Sequence, residues 1–189
     1  TVKAIEGGDW SKQLDEMRTG DGRPLPPNLH RQIERCFERL ALLNDQIKEI
    51  ERDRAEVVLH EESTFPCREK AVRLEQLKGI GPNSAAMLVA EVFCRKFESR
   101  RHVAAFLGLA PAPFASGDVS RDQGISKAGN RSTRVQMVEL AWCWLKYQPS
   151  SELTVWYRNR FKGNGARAAK VGIVALARKL LIALWRFVE

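Results

Sequence analysis

This chain of 189 residues is poor in the residues that hold metals: three histidines and four cysteines, Cys36, Cys67, Cys94 and Cys143, with no short pair among them. That scatter excludes a zinc-ribbon or zinc-finger spacing and a dense disulfide framework. Core thiols in a reducing cytoplasm are the expectation for all four. Long apolar runs are missing as well. The most apolar stretch, Val171 to Val188, is interrupted by Arg178, Lys179 and Arg186, which suits a packed amphipathic helix and not a membrane span. No signal peptide and no phosphate-loop motif is visible. With 44% apolar and 29% charged residues the chain has enough of both for a real core.

Negative charge is scarce in one half only. Through Glu75 there are 13 Lys or Arg against 16 Asp or Glu; from Gln76 onward the remaining 18 face 7, so the net of +8 divides into −3 and +11. The second half therefore carries a field that attracts a phosphate backbone or an anionic surface.

The sequence predicts a mostly α fold, with a long coiled-coil helix followed by a compact helical domain containing a helix-hairpin-helix motif. Residues 1–28 read as a linker or strap, 29–66 as a long helix forming a coiled-coil oligomerisation segment, and 67–189 as a basic helical domain. The long helix shows an a/d seam of Leu29, Ile33, Cys36, Leu40, Leu43, Ile47, Ile50, Arg54 and Val57, and a comparable heptad partner is missing elsewhere in the chain. A break follows at Glu61 to Pro66. Helices are then expected near 68–77, 83–93, 100–107, 130–147, 151–161 and 166–187, while Ala112 to Gly124 has little periodicity. Trp142 and Trp185 are the first choices for aromatic core residues.

The motif Leu77-Lys78-Gly79-Ile80-Gly81-Pro82 allows a tight turn between two helices, with Ile80 plugging the space between them. Bare glycines also let backbone N–H groups approach a phosphate at the start of the next helix. A helix-helix turn without a ligand is the alternative. Lys78, Gly79, Gly81, Lys96, Arg100, Arg101, Lys127, Asn130, Arg131 and Arg134 are the candidate nucleic-acid-binding residues, and such contacts would hold the backbone without reading bases. The tail adds Arg158, Arg160, Lys162, Arg167 and Lys170. Ser116, beside Gly117 in a basic-flanked loop, is the candidate for chemistry; position alone leaves it an ordinary turn serine. Asp118 and Asp122 are weak evidence for a metal, and no metal site is expected among these residues.

Taken in order, Leu77 through Ala90, Phe106-Leu107-Gly108-Leu109-Ala110-Pro111, Ser116-Gly117 and Gly124-Ile125-Ser126-Lys127-Ala128-Gly129-Asn130-Arg131 resemble the C-terminal part of bridge-RNA-guided insertion-sequence transposases. The preceding helix and the final one, Ala168 to Trp185, extend the likeness to nearly the whole chain. The resemblance implies that Ser116 is a nucleophile forming a transient covalent link to a DNA phosphate during recombination. It also implies DNA and a structured guide RNA as partners, a homo-oligomer through the coiled coil, and a bacterial or archaeal cytoplasmic, nucleoid-associated setting without a membrane. In that family Mg2+ is held by acidic residues of a RuvC-like domain. None precedes Thr1, so the expectation is a fragment of a longer protein, without a cofactor of its own and with little activity alone. Asp118 and Asp122 stand where the family is richer in Lys, Arg or glycine, which weakens local phosphate attraction. A non-catalytic DNA-binding and oligomerisation module is the competing reading.

Overall fold

The computed structural model describes residues 10–59, 64–116, 119–161 and 163–189; for Ser11, Leu59, 113–116 and 119–123 the backbone alone is described. Gly117, Asp118, Lys162, the Ser116 side chain and much of the expected break before Pro66 lie outside that description. The chain divides into two compact units, residues 1–53 and 54–189.

In the first unit a short helix, α1 (Trp10–Glu16), precedes the long helix α2 (Pro27–Leu59), which continues into the second unit. Sequence periodicity does not announce α1, because seven residues give less than two turns of pattern. It is fixed by packing: the Trp10 ring stacks on Phe37 at 5.0 Å, Leu14 is buried, and Asp15 meets the His30 imidazole at 2.9 Å. The connection is a tight turn in which Gly22, at φ +82°, donates to the Thr19 carbonyl, and Asp21 pairs with Arg23. The Arg23 guanidinium, then the Thr19 hydroxyl, hold the Asp21 carboxyl below its ordinary range. Along α2 the face of Leu29, Cys36, Leu43, Ile47 and Ile50 is left exposed.

The second unit is built around the last helix. Its elements are α3 (Arg68–Glu75), α4 (Pro82–Leu88) continued by a π-helical turn (Val89–Phe93), α5 (Arg100–Phe106), strands β1 (Pro111–Ser116) and β2 (Val119–Ile125), α6 (Arg131–Tyr147), α7 (Glu152–Phe161) and α8 (Gly165–Val188). Helix α8 packs against α3, α5, α6 and α7. Its buried residues Ile173, Leu176, Ala177, Leu180, Leu181, Leu184 and Val188 recur at helical spacing, and each fully buried leucine is worth about 1.5–3 kcal/mol over an exposed one. Leu74, Leu88, Phe93, Leu107, Leu109 and Met137 complete this core.

From α2 onward the helices fall where the periodicity places them. The strands do not: across the stretch that lacks a regular pattern, Pro111–Ser116 and Val119–Ile125 form an antiparallel ribbon pairing Pro113 with Asp122 and Ser116 with Val119. Two aromatic and thiol expectations are also corrected. Trp142 is 49% exposed, because Met137, Leu140, Ala141 and Trp144 form the buried face of α6 and Trp142 lies on the other side; Trp185 is half-buried against the core. None of the four cysteines is a buried core thiol: Cys36 and Cys67 are exposed, Cys94 and Cys143 half-buried.

Candidate nucleic-acid interface

Helices α3 and α4 are joined by the turn Gln76 to Gly81, and Ile80 is buried in the same core cluster as Leu74 and Ala85. Gly79 has φ +96°, and a Cβ there would stand 3.2 Å from Tyr147 Cβ, so both conformation and close approach favour glycine. Gly81 is different: its backbone is extended and a Cβ would meet nothing within 4 Å. Gln148 Nε2 donates to the Lys78 carbonyl at 3.2 Å, while the Lys78 residue itself is exposed. The turn is thus seated on the C-terminal end of α6.

The second cluster of candidates surrounds the base of the ribbon. Gly108 and Gly129, at φ +67° and +108°, let two backbones interlock: a Cβ on Gly108 would lie 2.1 Å from the Ala128 carbonyl, and one on Gly129 would lie 2.1 Å from the Phe106 carbonyl. Across this contact Lys127 N–H donates to Gly108 O, Ser126 N–H to Ala110 O and Asn130 N–H to Phe106 O. Asn130 also works through its side chain: Oδ1 accepts from Thr133 N–H at 3.2 Å and caps α6, and Nδ2 donates to Glu91 Oε2 at 3.1 Å. Arg134 donates to the Leu107 carbonyl at 2.9 Å from a half-buried position. Lys127, itself at φ +56°, and Arg131 are exposed, as are Lys96, Arg100 and Arg101.

Ser116 ends β1 opposite Val119, five residues beyond Pro111 at the ribbon base, or about 17 Å at strand rise. Lys127, Asn130, Arg131 and Arg134 are brought together at that base. Lys78 and Gly79 are not: they lie at the other end of α6, whose 17 residues span about 25 Å. Helix α4 and its π turn run back along α6 between the two ends, from the turn near Tyr147 to Glu91 beside Asn130. Where they run together, a cavity of about 350 Å³ is lined by Met87, Glu91, Asn130, Thr133 and Gln136, among others.

Other titratable groups give little catalytic machinery. Among the described residues no three His, Cys, Asp or Glu side chains gather as a metal site. Burial, then the hydrogen bond with Cys67, pushes the Cys94 thiol up to about 12, and Cys94 Sγ donates to the Pro66 carbonyl at 3.1 Å. Burial also raises the Glu75 carboxyl above its ordinary value. Among the described residues no helix is long and apolar enough to cross a membrane.

Comparison with known proteins gives this arrangement its family context. Residues 71–155, from α3 into α7 and including Ser116, match the family described as "Transposase IS116/IS110/IS902 family". The chain is 48% identical over 187 residues to the Sinorhizobium fredii (strain NBRC 101917 / NGR234) protein named "Putative transposase y4rJ", covering 96% of this chain and 47% of that one. It is 32% identical over 165 residues to the transposase for insertion sequence element IS1328 of Yersinia enterocolitica, covering 85% and 46%. With the transposase for insertion sequence element IS1111A of Coxiella burnetii (strain RSA 493 / Nine Mile phase I) the identity is 25% over 177 residues, covering 92% and 46%. The chain spans about half the length of these relatives. Helices α3 to α6, the ribbon between them and the start of α7 lie in the segment that is similar to the IS116/IS110/IS902 transposase family.

Proposed function

We propose that this chain is the DNA-handling part of a transposase, with Ser116 as the nucleophile of strand cleavage and rejoining. The observation that carries the reading is the position of Ser116 at the far end of a two-stranded ribbon, inside the matched transposase segment, with its base fastened by the Gly108 and Gly129 interlock. A ribbon of this kind can carry a hydroxyl to a phosphate ahead of the helical body. In the proposed step Ser116 Oγ forms a bond to phosphorus, the bridging P–O bond to one deoxyribose breaks, and the serine proton passes to the leaving oxygen. One phosphoester replaces another, so rejoining is the reverse reaction and needs no nucleotide triphosphate.

The Gly79 turn and the basic residues at the ribbon base serve as two phosphate grips about 25 Å apart, at opposite ends of α6. The helix-hairpin-helix then holds DNA remote from the ribbon base, while Lys127 and Arg131 hold it nearer. The motif resemblance implies a second, RuvC-like part in the whole protein, for which the length of the relatives leaves room, and carboxylates there would bind Mg2+. A structured guide RNA is a further partner on this reading. Self-association through α2 is supported by its exposed face of Leu29, Leu43, Ile47 and Ile50, which an isolated helix would leave in water.

The test is a Ser116→Ala variant of the full-length transposase incubated with element-end DNA. Loss of the covalent protein–DNA adduct with DNA binding retained is the expected result; an adduct formed by the variant would remove the nucleophile assignment. The second reading, a non-catalytic grip and assembly module, is favoured by the same exposed α2 face and would be supported if the unsubstituted protein bound element-end DNA without forming an adduct.

A further inference from the structure

The most acid-poor part of the chain is not the ribbon or the hairpin turn. From Leu153 to Val188 there is no Asp or Glu, while Arg158, Arg160, Lys162, Arg167, Lys170, Arg178, Lys179 and Arg186 supply eight positive charges. On this stretch lies an open groove of about 600 Å³, within the range of roughly 300–1,000 Å³ typical of ligand clefts. Trp142 forms one side of it, 49% exposed, with Tyr157, Phe161 and Arg158 also lining it.

Two rings of the lining, Phe161 and Tyr157, are held in place. The Phe161 ring lies where a Cβ on Gly172 would come within 2.5 Å of its Cγ, so a bare glycine in α8 makes room for it. Trp156 meets the same ring edge-on at 5.6 Å and Tyr157 approaches it at 5.7 Å. Tyr157 donates its hydroxyl proton to the Ala169 carbonyl at 3.5 Å, and Arg158 Nη1 donates to the Pro149 carbonyl at 3.2 Å. Arg158, Arg160, Arg167 and Lys170 are exposed.

A half-exposed indole beside the Tyr157 and Phe161 rings, with Arg158 in the same lining, has the chemistry that stacks a base and holds its phosphate. A second copy of this chain would bring the same positive charge to the same face, so charge opposes it as occupant. Bases inside a duplex are already stacked on one another, so the base must be unpaired.

We propose that the Trp142 groove binds single-stranded DNA, stacking one unpaired base on Trp142 and placing its phosphate near Arg158. This rests on the DNA-transposase reading above, and gives that protein a site for the unpaired strand separate from Ser116.

The test is fluorescence anisotropy of the full chain with labelled oligothymidylate of about 20 nucleotides, a duplex of equal length and oligouridylate. Trp142→Ala is expected to weaken oligothymidylate binding roughly 5- to 100-fold, the loss of one base stack, with duplex binding changed less than about twofold. Trp142→Phe should keep most of the affinity. Arg158→Ala should weaken binding and reduce the salt slope by about one. Photo-crosslinking of wild-type protein to a strand bearing 5-iododeoxyuridine should label Trp142, a readout that needs no variant to fold. Trp142-independent binding, preference for oligouridylate, a crosslink elsewhere, or loss of self-association in Trp142→Ala would each overturn the assignment. If duplex binding persists with any of these results, the groove alone is refuted. If the chain binds neither form of DNA, the DNA-transposase reading falls with it.

Discussion

Replacing Gly129 by Ala tests whether the ribbon base is the rigid mount that the chemistry needs. At φ +108° an L side chain is strained by about 1–3 kcal/mol. The new Cβ would also stand 2.1 Å from the Phe106 carbonyl oxygen and 3.3 Å from Gly108 N. Retreat from 2.1 Å to an ordinary contact of 3.4 Å requires about 1.3 Å of backbone movement. Such a shift breaks the Asn130 N–H to Phe106 O bond, already 3.3 Å long, and stretches the Lys127 N–H to Gly108 O bond at 3.1 Å. At about 1 kcal/mol for each bond, the total is about 3–5 kcal/mol, a large part of the ~5–15 kcal/mol that holds a domain together. Gly124→Ala is the control: its φ is +79°, but a Cβ there would meet nothing within 4 Å, so only the strain of about 1–3 kcal/mol applies. Urea denaturation with hydrogen exchange at Lys127 and Asn130 measures both the global loss and its location. Equal destabilisation by the two substitutions, or unchanged protection at those amides in Gly129→Ala, would refute the interlock.

Other consequences of the geometry are open to measurement. Glu75 Oε1 is buried without a hydrogen-bond partner among the described residues, and its raised pKa means that the protonated carboxyl favours the fold. That contribution is complete below the ordinary value of 4.5 and is lost as pH rises through the folded one, so Glu75→Gln should raise Tm at pH 7 and leave it unchanged near pH 4; an equal gain at both would remove burial as the cause. Thr154 is fully buried, its Oγ1 donating to Gln148 O at 2.7 Å and accepting from Ser151 Oγ at 3.0 Å, so Thr154→Val should cost about 1–3 kcal/mol in urea denaturation. A Leu43→Lys, Ile50→Lys double variant should lower the mass found by sedimentation equilibrium while helicity is kept; unchanged mass would show that this face does not assemble subunits. With its thiol pushed up to about 12, Cys94 is only about one part in ten thousand thiolate at pH 8, so iodoacetamide should label Cys36 well before it; comparable rates would contradict the burial described here.

The helices were legible because each buries one face, and burial leaves a period. In α6, Met137, Leu140, Ala141 and Trp144 mark that face, and the same spacing puts Trp142 on the other side. Judging Trp142 by its apolar character and not by its place in the period led to the core expectation. The ribbon left no such trace. Pro111-Ala112-Pro113-Phe114-Ala115-Ser116 has no alternation of apolar and polar residues, and the strands are paired only with each other, so no sheet face imposes that alternation. Helix α1 was hidden for another reason: it is held by Trp10 and Leu14, both distant in sequence from the long helix whose Phe37 meets Trp10.

At the candidate site the motif order was readable, but the division of labour within it was not. Gly108, Gly129 and Asn130 lie in the segments that resemble transposases and Arg134 just beyond them, and each has a structural duty that is visible only in three dimensions. Gly108 and Gly129 interlock, Asn130 caps α6 while holding Glu91, and Arg134 fastens Leu107. A motif residue already engaged in holding the scaffold has fewer groups left for a ligand, so exposed Lys127 and Arg131 are the stronger phosphate contacts at the ribbon base. The same reasoning separates the two glycines of the turn. Gly79 is required by its φ and by Tyr147, whereas Gly81 is extended with open space around its missing side chain. If Gly81 serves ligand approach, Gly81→Ala should reduce DNA affinity with little effect on stability, and Gly79→Ala should reduce stability first. Opposite behaviour would show that packing governs both positions.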